Sequence, residues 1–225
     1  MTKRIPLKDR ILPTYTRGEE IFNMTSHIVG GGLGVVVLAL CLWISLFRGS
    51  VSGVIGGGVF GISMITLYTM SGIYHGLRTG TAKKVFQILD HCTIYFLIAG
   101  TYTPILVCAV AEGYPVEAWV TFGALWGLTA LAVTLTAIDL KKYKAFSMIC
   151  YVSMGWAVIF TLRPTVAALG GAGFAWVLGG GLFYTFGILF YGFGKKVKYF
   201  HSIFHLMTLF GSICHAFAIL FYVLW

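Results

Sequence analysis

Long apolar runs separated by short polar stretches form the dominant pattern along the chain. A membrane-spanning helix requires about 20 predominantly apolar residues. Seven runs approach or exceed this length, namely residues 21–47, 51–77, 86–111, 116–138, 146–163, 171–193 and 201–225. The strict alternation typical of barrel strands is absent, and lipid leaves open strand edges without hydrogen-bond partners, so each run is expected to be a helix. The pattern predicts an all-α integral membrane protein in which residues 1–225 form one seven-helix domain.

Composition supports this class and excludes an ordinary soluble domain. The chain has 225 residues, of which 58% are apolar and only 10% are charged, and its mean hydropathy is +0.88. Soluble domains typically contain about 25% charged residues. The five cysteines are scattered singly through apolar runs without a CxxC pair. This scatter favours small buried side chains over a disulfide or metal motif.

The basic residues follow the loops of the predicted bundle. A net charge of +9 is compatible with nucleic-acid binding, but five basic residues precede the first span and three follow each of the second, fourth and sixth spans. These are Lys3, Arg4, Lys8, Arg10, Arg17, Arg78, Lys83, Lys84, Lys141, Lys142, Lys144, Lys195, Lys196 and Lys198. Only Arg48 and Arg163 lie in loops of the opposite side. The positive-inside rule predicts a cytoplasmic segment at residues 1–20, an outer C-terminus, a multi-pass protein of the cell membrane and no nucleic-acid partner.

Five of the six histidines are predicted to share one layer of this topology. His75 ends the second span, and His201 and His205 begin the seventh, so all three fall near the cytoplasmic ends of their helices. Positions i and i+4 differ by about 40° around a helix, which directs His201 and His205 toward one spot. Ser71 and His75 have the same spacing. Because lipid penalises polar side chains, these stripes are expected to face the bundle interior and converge.

Two further helices bring polar residues to the same layer. Glu20, Asn23 and His27 stand at i, i+3 and i+7 and form a stripe on the first span. Asp90 lies near the start of the third span. His91 is about 100° around the helix from Asp90 and is interpreted as a supporting or packing residue.

Imidazoles from two helices that meet in a dry pocket are suited to a transition metal, and zinc is the default ion for such ligands. His75, His201 and His205 would supply three nitrogens and leave a fourth position open, which is typical of catalytic rather than structural zinc. Zinc-bound water is acidic enough to provide hydroxide near neutral pH, and the ion polarises a carbonyl group. Asp90 would orient that water or take its proton. A membrane lipid is the expected substrate, because the loops are too short to bind a protein.

Each assignment also has a purely structural alternative. His201 and His205 could extend toward the lipid headgroups. Asp90 could cap the third helix, and Ser71 could bond its own backbone one turn earlier. The polar stripe of the first span could be a capping and helix-packing network. His215 lies about 21 Å along its helix from His201, so it is expected to form an interhelical hydrogen bond or to belong to a separate relay.

Four motifs carry most of these residues: EEIFNMTSH at 19–27, SGIYH at 71–75, LDHCTIYFLIAGTYTP at 89–104 and HSIFH at 201–205. They resemble the motifs of the haemolysin III family, the bacterial branch of the progestin and adipoQ receptor family that includes the adiponectin receptors. The resemblance implies a seven-helix bundle with a cytoplasmic N-terminus and zinc near the inner leaflet, held by His75, His201 and His205. The family's helix 3 aspartate falls on Asp90 and its helix 2 serine falls on Ser71, which gives both residues a catalytic role.

The resemblance suggests several functions. The receptor branch and the similar alkaline ceramidases suggest a zinc-dependent hydrolase of lipid amide or ester bonds at the cytoplasmic leaflet, which would affect membrane lipid composition. The haemolysin name suggests a lytic or pore-forming protein instead. A pore requires a polar stripe along a full helix, whereas the polar residues here stop in the inner third of the bilayer. The third alternative is a proton or ion pathway that extends outward through His215.

Overall fold

The fold is a bundle of long α-helices, seen in a computed structural model that describes residues 6–194 and 197–225. No strand occurs within these ranges. The main helices are α1 Arg17–Phe47, α2 Val51–Gly76, α3 Thr81–Pro104, α4 Pro115–Ile138, α5 Lys144–Gly155, α6 Leu162–Phe193 and α7 Phe200–Ala218. A π-helical turn at Ile105–Val110 extends α3, and another at Ile219–Val223 extends α7. Four basic residues used to predict the orientation lie outside the described residues; they are Lys3, Arg4, Lys195 and Lys196.

Six helical segments are long and apolar enough to cross a membrane. Five of them match the first four predicted spans and the last one, and the matching ends differ by five residues or fewer. The remaining segment, Lys144–Phe193, has 50 residues and contains both the fifth and the sixth predicted spans. The structure therefore confirms an all-helical protein with several membrane-spanning helices, and seven separate crossings stay a prediction.

This 50-residue segment is not one continuous helix. A 3₁₀ turn at Ala157–Thr161 separates α5 from α6. Pro164 falls in the first turn of α6, where the helix does not need the N–H that proline lacks. Within α6, Gly170 has φ 68° and ψ 172°, a conformation that glycine adopts far more readily than other residues. The predicted fifth span, residues 146–163, is thus an α-helix followed by a 3₁₀ turn rather than a single α-helix.

The start of α1 is fixed to the start of α7. The Thr16 hydroxyl accepts the Glu19 N–H at 3.3 Å, and the Glu19 carboxylate accepts the Thr16 N–H at 2.8 Å, which together form a capping box. The other carboxylate oxygen of Glu19 accepts the N–H of Tyr199 at 2.8 Å. Tyr199 directly precedes α7. Because the two helices begin side by side, their first turns lie at the same depth in the bundle.

Glycines allow α1 and α2 to pack closely along their length. A Cβ added at Gly61 of α2 would lie 2.6 Å from Leu38 Cβ and 2.7 Å from Leu38 Cα on α1. On α1, Gly30 leaves room for the ring of Tyr68 from α2 in the same way. Small residues matter at such contacts because close packing, rather than the hydrophobic effect, holds helices together in lipid. The end of α2 is thereby brought close to the start of α1.

Gly61→Ala is expected to destabilise the protein by about 1–3 kcal/mol, because overpacking at the Leu38 backbone exceeds the gain of about 1 kcal/mol in helix propensity. Thermal unfolding of the detergent-purified protein measures the effect. Gly58→Ala on the same helix is the matched control, since its Cβ would meet nothing closer than Leu42 Cδ2 at 4.0 Å. Equal melting temperatures for the two variants would contradict the prediction.

Candidate metal centre

Three imidazoles from two helices meet at the end of the bundle where α1 and α7 begin. His75 lies in the last turn of α2, and His201 and His205 lie one turn apart at the start of α7. Their candidate ligand atoms all lie within 4.8 Å of one another. His201 Nε2 is 3.0 Å from His205 Nε2, and all three side chains are buried. The structure therefore brings together the three histidines that the sequence predicts as ligands, and the cluster could hold one metal ion.

An acidic side chain of α1 fixes the His75 ring. His75 Nδ1 lies 2.6 Å from Glu20 Oε2. A carboxylate only accepts hydrogen bonds, so Nδ1 carries the hydrogen and donates it. Nε2 of the same ring is buried and has no hydrogen-bond partner within the described ranges. The lone pair of Nε2 is consequently available to a metal ion. Metal-binding histidines commonly show this arrangement, in which the other ring nitrogen donates to a carboxylate.

Lys83 of α3 holds Glu20 from the other side. Its Nζ donates to Glu20 Oε1 at 2.8 Å and to the Leu77 carbonyl at 3.0 Å. Lys83 is only 4% exposed, and a buried ammonium group is costly unless it is paired and hydrogen-bonded. The sequence pattern predicts Lys83 to be a loop residue and does not predict this contact, because nothing in the local pattern distinguishes Lys83 from Lys84.

His27 of α1 supports a second ligand histidine. One ring nitrogen, Nε2 of His27, lies 2.5 Å from His205 Nδ1. When His205 Nδ1 donates this hydrogen bond, His205 Nε2 is left free for a metal ion, as it is in His75. Glu20 and His27 thus both form interhelical hydrogen bonds to candidate ligands. These contacts agree with the helix-packing network offered as an alternative, and they also fix the orientation of two candidate ligand rings.

Several buried polar groups near the histidines have no hydrogen-bond partner within the described ranges. Asn23 is 0% exposed, and neither its Oδ1 nor its Nδ2 is paired. The hydroxyls of Ser71 and Ser202 are also unpaired, so the alternative that Ser71 bonds its own backbone is wrong. Each such group costs about 1–3 kcal/mol. Their concentration within one helical turn of His75, His201 or the α1 stripe is typical of a site that holds a ligand.

A cavity of about 640 Å³ lies beside the cluster. Its walls include His201 and Asp90, together with residues 9–15 of the N-terminal segment and residues 139–141 after α4. Asp90 is well inside α3, which begins at Thr81, so the alternative that it caps the helix is wrong. Asp90 shares the cavity with one candidate ligand but is not part of the three-residue cluster.

Tyr15 covers the centre from the N-terminal segment. Its ring stacks on His201, with centroids 4.7 Å apart and planes at 14°, and its centroid is 5.8 Å from that of His75. Burial raises the pKa of Tyr15, so the phenol stays protonated and can donate a hydrogen bond. The sequence contained no signal for this contact, because Tyr15 belongs to a polar stretch without helical periodicity.

His215 lies apart from the centre. Its Nε2 donates to the Val177 carbonyl of α6 at 3.1 Å, which is the interhelical hydrogen bond offered as one alternative by the sequence. The imidazole occupies the space left by the missing side chain of Gly180. His215 therefore joins α6 to α7 at a distance from the candidate ligands.

Known proteins resemble this chain over nearly its whole length. A family model described as Haemolysin-III related matches residues 15–216. Hemolysin-3 of Bacillus cereus is 35% identical over 206 residues, which cover 92% of each chain. The Hemolysin-3 homolog of Bacillus subtilis (strain 168) is 34% identical over 211 residues, covering 92% of this chain and 96% of the relative. The human Monocyte to macrophage differentiation factor is 25% identical over 169 residues, which cover 72% of this chain and 67% of that protein.

If the cluster holds a metal ion, Glu20→Gln is expected to weaken the binding of added Zn²⁺ by about 10–100-fold. The neutral amide would orient His75 less firmly and would no longer balance the positive charge of Lys83. Competition with a chromophoric chelator measures the affinity of the detergent-purified protein. Glu112→Gln, an exposed change after α3, is the matched control and should bind like the wild type. Wild-type affinity in the Glu20 variant would show that this contact does not support a metal ligand.

Proposed function

This chain belongs to the haemolysin-III-related family and is a multi-pass integral membrane protein, and from that premise we propose that it is a zinc-dependent hydrolase of lipid amide or ester bonds. The observation that carries the proposal is the convergence of His75, His201 and His205 beside a cavity that also contains Asp90. Its activity would alter the lipid composition of the membrane.

The three histidines fit a zinc ion. Zinc binds imidazole nitrogens at about 2.0–2.1 Å, so two ligands at a tetrahedral angle stand about 3.4 Å apart. The 3.0 Å between the Nε2 atoms of His201 and His205 is close to this value. The widest pair, at no more than 4.8 Å, would close by about 1.4 Å or less to reach that spacing. The buried, unpaired Nε2 of His75 supports the same assignment.

A zinc ion bound here would acidify water and polarise a substrate carbonyl. Hydrolysis breaks the bond between the acyl carbon and the leaving nitrogen or oxygen. The hydroxyl of water goes to the acyl carbon, and a proton goes to the leaving atom. Asp90 would take the proton from the attacking water and return it to the leaving group. Ser71, which is fully buried and unpaired, would hold the substrate or water by a hydrogen bond.

A lipid substrate suits the surroundings of the centre. The cluster is formed by the first turns of α7 and the last turn of α2, two helices that are apolar enough to span a membrane. The 640 Å³ cavity lies among the loops at that end. A lipid could place its headgroup-linked carbonyl in the cavity while its acyl chain stays in the bilayer. The cavity walls combine carboxylate, ammonium and tyrosine side chains, which suit a polar headgroup.

The proposal includes seven crossings with a cytoplasmic N-terminus. A helix of 50 residues would be about 75 Å long, far more than the 30 Å of a bilayer core. The left-handed backbone at Gly170 supports two crossings with a turn near this residue. The described basic residues, with Arg48 and Arg163 as the exceptions, lie at the end of the bundle that contains the cluster, which supports a cytoplasmic position for that end.

Lysis of membranes is the second candidate function. It is favoured by the name of the Bacillus cereus relative, Hemolysin-3, which is 35% identical over 92% of this chain. Release of a dye from vesicles by the purified protein tests it. Release that persists after chelation of metal and in His201→Ala would favour lysis over hydrolysis.

His201→Ala is expected to abolish stoichiometric zinc binding, because only two imidazoles remain. Asp90→Ala is expected to keep the zinc and to lower kcat by about 10²–10⁴-fold, the usual contribution of a general base. Elemental analysis gives the metal content, and turnover of lipid amides and esters in mixed micelles gives kcat. Glu117→Ala, an exposed change in the first turn of α4, is the control. Wild-type kcat in the Asp90 variant would remove that residue from the reaction.

The topology predicts opposite accessibility for two exposed positions, Gly171 and Lys198. In a background with all five cysteines replaced by alanine, a membrane-impermeant maleimide should label Gly171→Cys in intact cells. Lys198→Cys should react only after permeabilisation, because it lies in a cytoplasmic loop. Labelling of Lys198→Cys in intact cells would place that loop outside the cell and refute the topology of seven crossings with a cytoplasmic N-terminus.

A further inference from the structure

Asn23 is a fully buried side chain near the candidate metal centre, and both polar atoms of its amide are unpaired within the described residues. It is 0% exposed, and both its amide oxygen and its amide nitrogen lack hydrogen bonds to any residue in the ranges 6–194 and 197–225. An amide offers two donors and an acceptor with two lone pairs. Leaving such a group unsatisfied in a membrane protein costs several kcal/mol, so its presence calls for a partner other than the protein.

The position of Asn23 on α1 directs it toward the histidine cluster. Glu20 and His27, on the same stripe, contact His75 of α2 and His205 of α7 respectively. Asn23 is about 60° around the helix from Glu20 and about 40° from His27. It lies between them along the helix axis, at roughly 4.5 Å and 6 Å of rise. Asn23 therefore faces the gap between α2 and α7 in which the three imidazoles converge.

The chemistry of the cluster indicates what Asn23 binds. His75, His201 and His205 supply only nitrogen acceptors toward the shared space, and three such ligands leave one position of a tetrahedral zinc site for an oxygen atom. That oxygen requires hydrogen-bond partners from the protein. The Nδ2 group of Asn23 is an unpaired donor on the α1 side of the cluster. Glu20 and His27 are already engaged with ligand histidines.

We propose that Asn23 holds the oxygen ligand of the histidine cluster, a water molecule or the substrate carbonyl, by donating a hydrogen bond from Nδ2. Asn23 is thus a binding residue of the centre that comes from α1, whereas Asp90 comes from α3. The inference rests on the metal binding proposed above but not on hydrolysis.

Asn23→Leu separates ligand binding from a structural role, because leucine has the same branching at Cγ and no polar atoms. Removing an unsatisfied amide should leave the melting temperature of the metal-free protein unchanged or higher. The same change should weaken Zn²⁺ binding about tenfold or more and alter the visible absorption spectrum of the Co²⁺-loaded protein, which depends on the ligand set. The probes are Zn²⁺ and Co²⁺ alone, added to chelator-treated protein in detergent.

Thr129→Val is the matched control. Thr129 of α4 is also buried, and its hydroxyl is likewise unpaired within the described residues, but it belongs to none of the helices that form the cluster. Its variant should keep wild-type Zn²⁺ affinity and the wild-type Co²⁺ spectrum. If Asn23→Leu does not fold, Asn23→Ala replaces it. Alanine leaves space for a water molecule in place of the amide, so Asn23→Ala is expected to lose less Zn²⁺ affinity than Asn23→Leu.

Wild-type Zn²⁺ affinity and an unchanged Co²⁺ spectrum in a folded Asn23 variant would overturn the inference and leave the hydrolase proposal standing. Conversely, a wild-type protein that binds both metals but hydrolyses no lipid would refute the hydrolase proposal. The proposed role of Asn23 in metal-ligand binding would be unaffected. A large loss of metal-free stability in both Asn23 variants, with unchanged metal affinity, would assign the residue a structural role only.

Discussion

The hydrogen bond between His75 and Glu20 connects the chemistry of the centre to the packing of the bundle. It requires α1 and α2 to approach closely, which the contact between Gly61 and Leu38 permits. It also requires Glu20 to stay charged inside the protein, and Lys83 of α3 supplies the opposite charge at 2.8 Å. Three helices thus determine the orientation of one imidazole ring. Weakening any of these contacts would loosen a candidate ligand without changing the ligand itself.

The remaining ligands depend on the junction between α1 and α7. Glu19 joins the two helix starts through Tyr199, and His27 contacts His205 two turns further along α1. One face of α1 therefore contacts the helices of all three candidate ligands. This explains why a helix that contributes no ligand to the cluster has polar residues at 20 and 27. A site held by several rigid helices needs little reorganisation when an ion or substrate binds.

Periodicity and depth allowed much of this arrangement to be predicted from the sequence. His201 and His205 share one helical face, and lipid forbids that face from pointing outward, so their convergence with His75 followed from general rules. Contacts made by chain segments without periodicity could not be predicted, and the stacking of Tyr15 on His201 is such a contact. The burial of Lys83 was also missed, because it depends on a partner 63 residues away. The break at Gly170 depends on one backbone angle that a glycine permits but does not require.

The distribution of unpaired polar groups distinguishes a binding site from ordinary packing defects. Ser45, Thr129 and one nitrogen of His215 are also buried without partners in the described part of the chain, but they stand singly on different helices. By contrast, Asn23, Ser71, His75 and Ser202 lie within one turn of the histidine stripes on three adjacent helices. At about 1–3 kcal/mol for each group, the combined cost would be a large share of the stability of a typical domain. A ligand bound at the cluster would offset this cost by pairing these groups, which is what the proposed metal ion and its oxygen ligand would do.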